Sequence, residues 1–121
     1  MLTEHISKSR YGSLMHTAKD RGIQFSLTPE YLEDLWNKQN GKCALSGLDI
    51  SLFIRLSDSK NYTASLDRIN SNLGYIEGNV QWIHKDINYM KCDFSQEEFI
   101  NYCKLISNFQ ANQQPSMEYT P

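Results

Sequence analysis

The 121-residue chain has little of what defines several common protein classes. Its three cysteines, Cys43, Cys92 and Cys103, are odd in number, widely spaced and never paired as Cys-x-x-Cys. This pattern predicts reduced thiols in a cytoplasmic protein, and we expect no structural zinc. No apolar run approaches membrane-spanning length, and the polar N-terminus MLTEHISKSR has no apolar run behind it, so we expect neither a signal peptide nor a membrane partner.

A strong charge of either sign is also missing. The formal net charge is −2, which counts against a large basic surface for binding DNA. The local distribution of charge matters more for such binding than the net charge of the chain. Residues 1–25 carry an excess of positive charge, and two interpretations are open for it. The basic side chains form either the solvated face of a core-packing helix or an arm that contacts phosphates. The basic residues in question are Lys8, Arg10, Lys19 and Arg21.

The apolar pattern predicts a single α+β domain over residues 1–110. Two N-terminal helices are expected within 7–40, separated by a short strand at 23–27 that alternates apolar and polar residues. The second helix is expected to begin at Thr28, a good N-cap followed by Pro29. Ser95 and Glu98 form a capping box that predicts a final helix. Its core face is expected to be formed by Phe99, Ile100, Cys103, Leu105 and Ile106. The polar segment 111–121 is predicted to be a disordered tail.

The most informative stretch is TASLDRINSNLGYIEGNVQWIHKDINYMK, within a core motif over 62–92. It predicts a strand over 62–66, a polar loop, a strand over 79–83 and a helix from near His84 to about Lys91. Such a hairpin returning onto a helix can bring Asp67 and Asn88 together. A carboxylate and an amide carbonyl are hard oxygen ligands suited to Mg²⁺ or Mn²⁺.

Within this stretch, LDRIN and GNVQWIHKDIN resemble the HNH endonucleases, the ββα-metal or His-Me finger nucleases of phage and homing type. The resemblance implies a ββα-metal finger, a short antiparallel hairpin plus helix, embedded in a small helical domain. It also implies that Asp67 and Asn88 bind Mg²⁺ or Mn²⁺, and that Asn79 holds the loop in place.

Arg68 is a departure from the family pattern, which has its general-base histidine directly after the aspartate. Arginine stays protonated and cannot take a proton from water, but it can bind phosphate or stabilise developing negative charge. His84 is the best substitute base, since it lies four residues before Asn88 on the expected helix and its ordinary pKa suits neutral pH. Three alternatives stay open: a base elsewhere, a metal-bound water that needs no strong base, or a site that binds DNA without cutting it.

The resemblance therefore implies a divalent-metal-dependent DNA endonuclease that hydrolyses phosphodiester bonds, by nicking or double-strand cleavage. The alternative is a catalytically inactive nucleic-acid-binding module on an HNH scaffold. DNA is the expected partner, and a homodimer or a larger partner that supplies specificity is left open. The catalytic candidates are Asp67, Arg68, Asn79, His84 and Asn88, and the DNA-binding candidates are Arg10, Lys19, Arg21, Arg68, Lys85 and Lys91.

Overall fold

The computed structural model describes residues 2–52 and 62–113, and over these ranges the chain mixes helices with one antiparallel hairpin. This confirms the α+β class. The elements, in chain order, are α1 (Lys8–Asp20), α2 (Pro29–Lys38), β1 (Ala64–Arg68), β2 (Val80–His84), α3 (Lys85–Lys91) and α4 (Gln96–Gln113).

Side-chain caps define where the helices begin. The side-chain oxygens of Ser7 and Thr28 each accept the backbone N–H three residues further on, at 3.0 and 3.1 Å. Ser95 and Glu98 form the predicted reciprocal box, with the Ser95 N–H donating to Glu98 Oε1 and the Glu98 N–H donating to Ser95 Oγ, both at 3.2 Å. Each cap satisfies backbone N–H donors that a helix leaves unpaired in its first turn. Because the capping residue types are characteristic, these helix starts can be predicted from the sequence.

The hairpin is shifted along the chain from the predicted strands. β1 starts two residues later than expected and β2 one residue later, and the pairing sets Asp67 opposite Gln81 and Ala64 opposite His84. Asp67 therefore lies inside a strand, and His84 is the last residue of β2 instead of the first residue of a helix. The register is fixed by burial, because a slip of one residue would turn the buried Trp82 outward.

Trp82 is at the centre of the core. Its ring is completely buried and packs edge-on against Trp36 of α2, with centroids 6.0 Å apart. Its indole Nε1 donates to the backbone carbonyl of Leu32 at 3.2 Å, so α2 is attached to the hairpin by both packing and a hydrogen bond. The rest of the core is formed by Ile6, Leu27, Leu32, Cys43, Ile50, Ala64, Leu66, Val80 and Ile83.

Residues 23–27 do not form the expected strand. Phe25 makes a single bridge to Tyr75, supported by a Ser26 N–H donating to the Tyr75 carbonyl at 2.9 Å and a Tyr75 N–H donating to the Gln24 carbonyl at 2.8 Å. One bridge is too short for a strand, but it joins the segment after α1 to the hairpin loop.

The final helix differs most from its prediction. No residue of α4 is buried, and Leu105 and Ile106, which were assigned to a core face, are more than half exposed. The helix continues to Gln113, so the predicted disordered tail is wrong for 111–113, while 114–121 lie outside the described residues. Within the described ranges, no helix combines the length and apolar character needed to cross a membrane.

Because Leu32 lies in the core and Leu105 does not, truncating each to alanine should lower the free energy of unfolding by different amounts. Leu32→Ala removes a fully buried side chain and should lower the free energy of unfolding by about 2–5 kcal/mol. Leu105→Ala, on the exposed face of α4, should change it by less than about 0.5 kcal/mol. Urea unfolding followed by tryptophan fluorescence measures both, and equal costs would contradict this placement of the core.

Candidate functional site

A small polar pocket lies where α3 packs on the hairpin. Because α3 follows β2 without a linker and packs beside β1, Asn88 of α3 lines the same pocket as Asp67 and Arg68 of β1. The pocket has a volume of about 40 Å³. Its other lining residues are Arg21, Leu66, Ser71, Tyr75, Lys91 and Cys92.

Asp67 is buried and both of its carboxylate oxygens are bonded. Oδ1 accepts from Lys91 Nζ at 3.0 Å, and Oδ2 accepts from Gln81 Nε2, also at 3.0 Å. Gln81 Nε2 in turn lies 2.7 Å from Oε1 of Gln96, the first residue of α4. Sequence reasoning missed both glutamines. Gln81 could have been found only from the strand register, which sets it opposite Asp67.

Asn88 reaches the same pocket from α3. Its Nδ2 donates to Ser65 Oγ of β1 at 2.6 Å, which fixes the amide on the hairpin. With Nδ2 in this bond, its carbonyl oxygen accepts no hydrogen bond from the described residues. The carbonyl oxygen of Asn88 is therefore available at the pocket as a hydrogen-bond acceptor or as a hard ligand for a metal ion.

Asn79 closes the hairpin loop. Its Oδ1 accepts the backbone N–H of Asn70 at 2.9 Å, and its Nδ2 donates to the carbonyls of Asn70 and Gly74 at 3.1 and 2.9 Å. The side chain is buried, so the three bonds are made away from solvent. This is the loop-holding contact that the resemblance implied for Asn79.

Arg68 adds a second brace to the loop and a positive charge to the pocket. Its Nη1 donates to the carbonyls of Ser71 and Leu73 at 2.8 and 3.0 Å, and the guanidinium lies 5.5 Å from the centre of the Tyr75 ring. Arg21, just after α1, lines the same pocket. The wall therefore carries three cationic side chains and one carboxylate, which favours an anionic ligand such as a phosphate.

His84 is not brought to this pocket. It caps α3, with Nδ1 accepting the backbone N–H of Asp86 at 3.1 Å. In the hairpin it lies three residue pairs from Asp67, which corresponds to roughly 10 Å along the strands. The expectation that His84 and Asn88 share a helix face is wrong because His84 has extended backbone angles and precedes the helix.

Two predicted DNA contacts are buried. Arg10 Nη2 donates to the Ala64 carbonyl at 3.0 Å and its guanidinium lies 5.0 Å from the centre of the Tyr62 ring, while burial lowers the pKa of this guanidinium. Lys91 is only 1% exposed. Both side chains were expected at the surface, and both instead bind groups of the hairpin. Lys19 and Lys85 are exposed, as a phosphate contact requires.

Two side chains of the pocket, those of Asp67 and Asn88, carry the hard oxygens that ligate divalent cations, but its three cationic side chains oppose such an ion. A carboxylate has about four acceptor positions, so Asp67 retains capacity beyond its two bonds, and Asn88 offers its carbonyl oxygen. Two hard oxygens with the remaining positions taken by water are typical of Mg²⁺ sites. Lys91 opposes a cation most directly, since its ammonium already balances the charge of Asp67, and the guanidinium groups of Arg21 and Arg68 line the same pocket.

A second group of possible ligands, Glu4, His5 and Glu33, has its ligand atoms within 4.8 Å of one another. Glu33 is already heavily used, since it accepts from the His5 backbone N–H at 2.6 Å and from Thr3 Oγ1 at 2.7 Å, and its Oε2 lies 2.6 Å from His5 Nδ1. Burial raises the pKa of the Glu33 carboxyl, but these hydrogen bonds outweigh it and hold the pKa below its ordinary value. The contacts attach the N-terminal segment to α2, which accounts for the cluster without an ion.

The chain matches no protein-family model, and no solved structure matches it. It is similar to two viral proteins, both uncharacterized. It is 30% identical over 104 residues to protein R423 of Acanthamoeba polyphaga mimivirus, covering 86% of this chain and 17% of that protein. It is 32% identical over 93 residues to a 29.0 kDa protein in the dda-modA intergenic region of Enterobacteria phage T4, covering 77% of this chain and 35% of that protein. The chain thus spans at most about a third of the length of these relatives.

The loop contact of Asn79 can be tested by truncation. Asn79→Ala leaves the Asn70 N–H and two carbonyls without their partner and should lower the free energy of unfolding by about 1–3 kcal/mol. Asn72→Ala is the matched control, because Asn72 is an exposed asparagine in the same loop. Thermal unfolding compares the two. Equal melting temperatures would show that Asn79 does not hold the loop.

Proposed function

We propose that this chain is a divalent-metal-dependent DNA endonuclease of the HNH type. The observation that carries the proposal is the convergence of Asp67, Arg68 and Asn88 on one pocket, with a hairpin and a following helix as the scaffold. The loop contacts of Asn79 add support, since they fall on the residue for which the HNH resemblance implies that role. On this proposal the unit formed by β1, β2 and α3 is a ββα-metal finger.

The oxygens of Asp67 and Asn88 would hold Mg²⁺ or Mn²⁺, which when bound polarises a phosphoryl oxygen and stabilises negative charge on the leaving group. Arg68 and Arg21 would bind the non-bridging oxygens of the scissile phosphate, where a guanidinium can donate two parallel hydrogen bonds. Asn79 would keep the loop, and with it Arg68, in position. The described pocket wall contains no histidine, so the proton of the attacking water would leave to solvent.

The exposed basic side chains outside the pocket, and the charge of the pocket itself, are compatible with a nucleic-acid backbone. Lys19 and Lys85 are exposed, and the pocket itself carries more positive than negative side chains although the whole chain has a formal net charge of −2. A small local excess of positive charge permits weak contact with DNA but does not provide a broad basic face. So few phosphate contacts would give a weak affinity for DNA with a small dependence on salt concentration.

A second candidate function is a nucleic-acid-binding module that does not cut. The observation in its favour is the ion pair between Lys91 and Asp67, which neutralises the carboxylate without a metal. Such a module would shift DNA on a gel in EDTA and leave it intact in Mg²⁺ or Mn²⁺.

The nuclease proposal predicts metal-dependent nicking of supercoiled plasmid that depends on Asp67. Loss of several kcal/mol of charge stabilisation corresponds to roughly a 100-fold or greater fall in rate, and we expect at least that for Asp67→Asn. Glu77→Gln, at an exposed acid of the same hairpin loop, is the matched control and should cut like the wild type.

Circular dichroism and a melting curve establish that Asp67→Asn is folded before its rate is compared. Two results contradict the proposal. One is the absence of cleavage by the folded wild type in either metal, and the other is an Asp67→Asn variant as active as the wild type.

A further inference from the structure

The ion pair at the base of the pocket has an unusual geometry for a lysine at the end of a helix. Lys91 is the last residue of α3, yet its side chain is 1% exposed. Its Nζ lies 3.0 Å from Asp67 Oδ1 and 2.8 Å from the backbone carbonyl of Arg68. A lysine is almost never fully buried unless its charge is paired, and here both acceptors belong to β1.

This ammonium and a divalent ion compete for the same carboxylate. A Mg²⁺ ligated by Asp67 would lie about 2.0–2.1 Å from one of its oxygens. It would then be within a few ångströms of the ammonium that already contacts Oδ1. Two cations this close repel each other strongly, because a buried pair is screened far less than a pair in water.

We infer that Lys91 is a built-in counter-cation of Asp67, and that a divalent ion binds only by displacing it. The inference rests on the proposed function, since it concerns the same metal site, but it assigns Lys91 a different role from a phosphate contact. Lys91 lines the pocket, so an ammonium released from Asp67 has polar space beside it. The Lys91 ammonium would consequently occupy the Asp67 carboxylate when no metal is bound. The affinity of the site for the ion would be weaker, because the ion has to displace this ammonium.

Titration calorimetry with Mn²⁺ tests this competition. Lys91→Gln removes the competing charge and should bind Mn²⁺ at least tenfold more tightly than the wild type, a change of about 1.4 kcal/mol. Lys38→Gln is the matched control, because Lys38 is also the last residue of its helix but is exposed, and it should bind Mn²⁺ like the wild type. Equal affinities of Lys91→Gln and the wild type would overturn the inference.

Lys91→Gln also leaves the Asp67 carboxylate buried without a charged partner, which can prevent folding. A second measurement therefore uses the wild type. Acetylation by an amine-reactive ester, mapped by mass spectrometry, should be slow at Lys91 without metal and at least several-fold faster in saturating Mg²⁺, relative to Lys38 in the same sample. Protection of Lys91 that persists at a Mg²⁺ concentration that raises the melting temperature would overturn the inference.

The outcomes separate this inference from the nuclease proposal. Mn²⁺ binding that is equal in the wild type and Lys91→Gln but lost in Asp67→Asn would remove the role of Lys91 and leave the metal site intact. Absence of Mn²⁺ binding by both folded proteins would remove the metal site, and the inference with it.

Discussion

Asp67 carries a carboxylate into the interior of the protein, and the arrangement of the surrounding elements follows from the need to compensate it. A buried charge is costly unless it is paired and hydrogen-bonded. Lys91 from α3 and Gln81 from β2 supply that compensation, and Gln96 connects it to the start of α4. One carboxylate thus joins α3, β2 and the first residue of α4 in a single hydrogen-bonded network.

Other hydrogen bonds fix the remaining polar side chains of the pocket and the hairpin loop. Asn88 is attached to Ser65, and the loop between the strands is closed by Asn79 and braced by Arg68. These bonds hold Asn88 and Arg68 at the pocket without a ligand, whereas Lys91 would have to leave Asp67 for an ion to bind. The tight hydrophobic anchor lies on the other side of the hairpin, where Trp82 packs on α2.

The sequence was informative where a local rule decides the structure. Thr28 before proline and Ser95 before Glu98 are helix starts that depend only on neighbouring backbone groups, and both were predicted. Asn79 was assigned correctly to the loop from a resemblance in its flanking residues. Such features need no knowledge of the tertiary arrangement.

Burial of polar groups could not be predicted in the same way. Arg10 and Lys91 read as surface cations because isolated lysines and arginines usually are, and only the folded hairpin supplies the carbonyl and carboxylate that bury them. His84 was expected in the first turn of the helix but is the last residue of β2. A boundary shift of one residue is enough to change the direction of its ring. The apolar residues of α4 were expected in the core but are not buried. An apolar stripe on a helix becomes a core face only where another element covers it.

We propose that Asp67 and Asn88 form a divalent-ion site in this protein. Paramagnetic broadening by trace Mn²⁺ in a ¹H–¹⁵N spectrum tests it most directly, because the effect falls off steeply with distance from the ion. The account predicts that the side-chain amide of Asn88 and the backbone amide of Asp67 are among the first signals lost. Broadening that starts instead at His5 and Glu33, with Asn88 unaffected, would contradict it and place the ion at the N-terminal cluster.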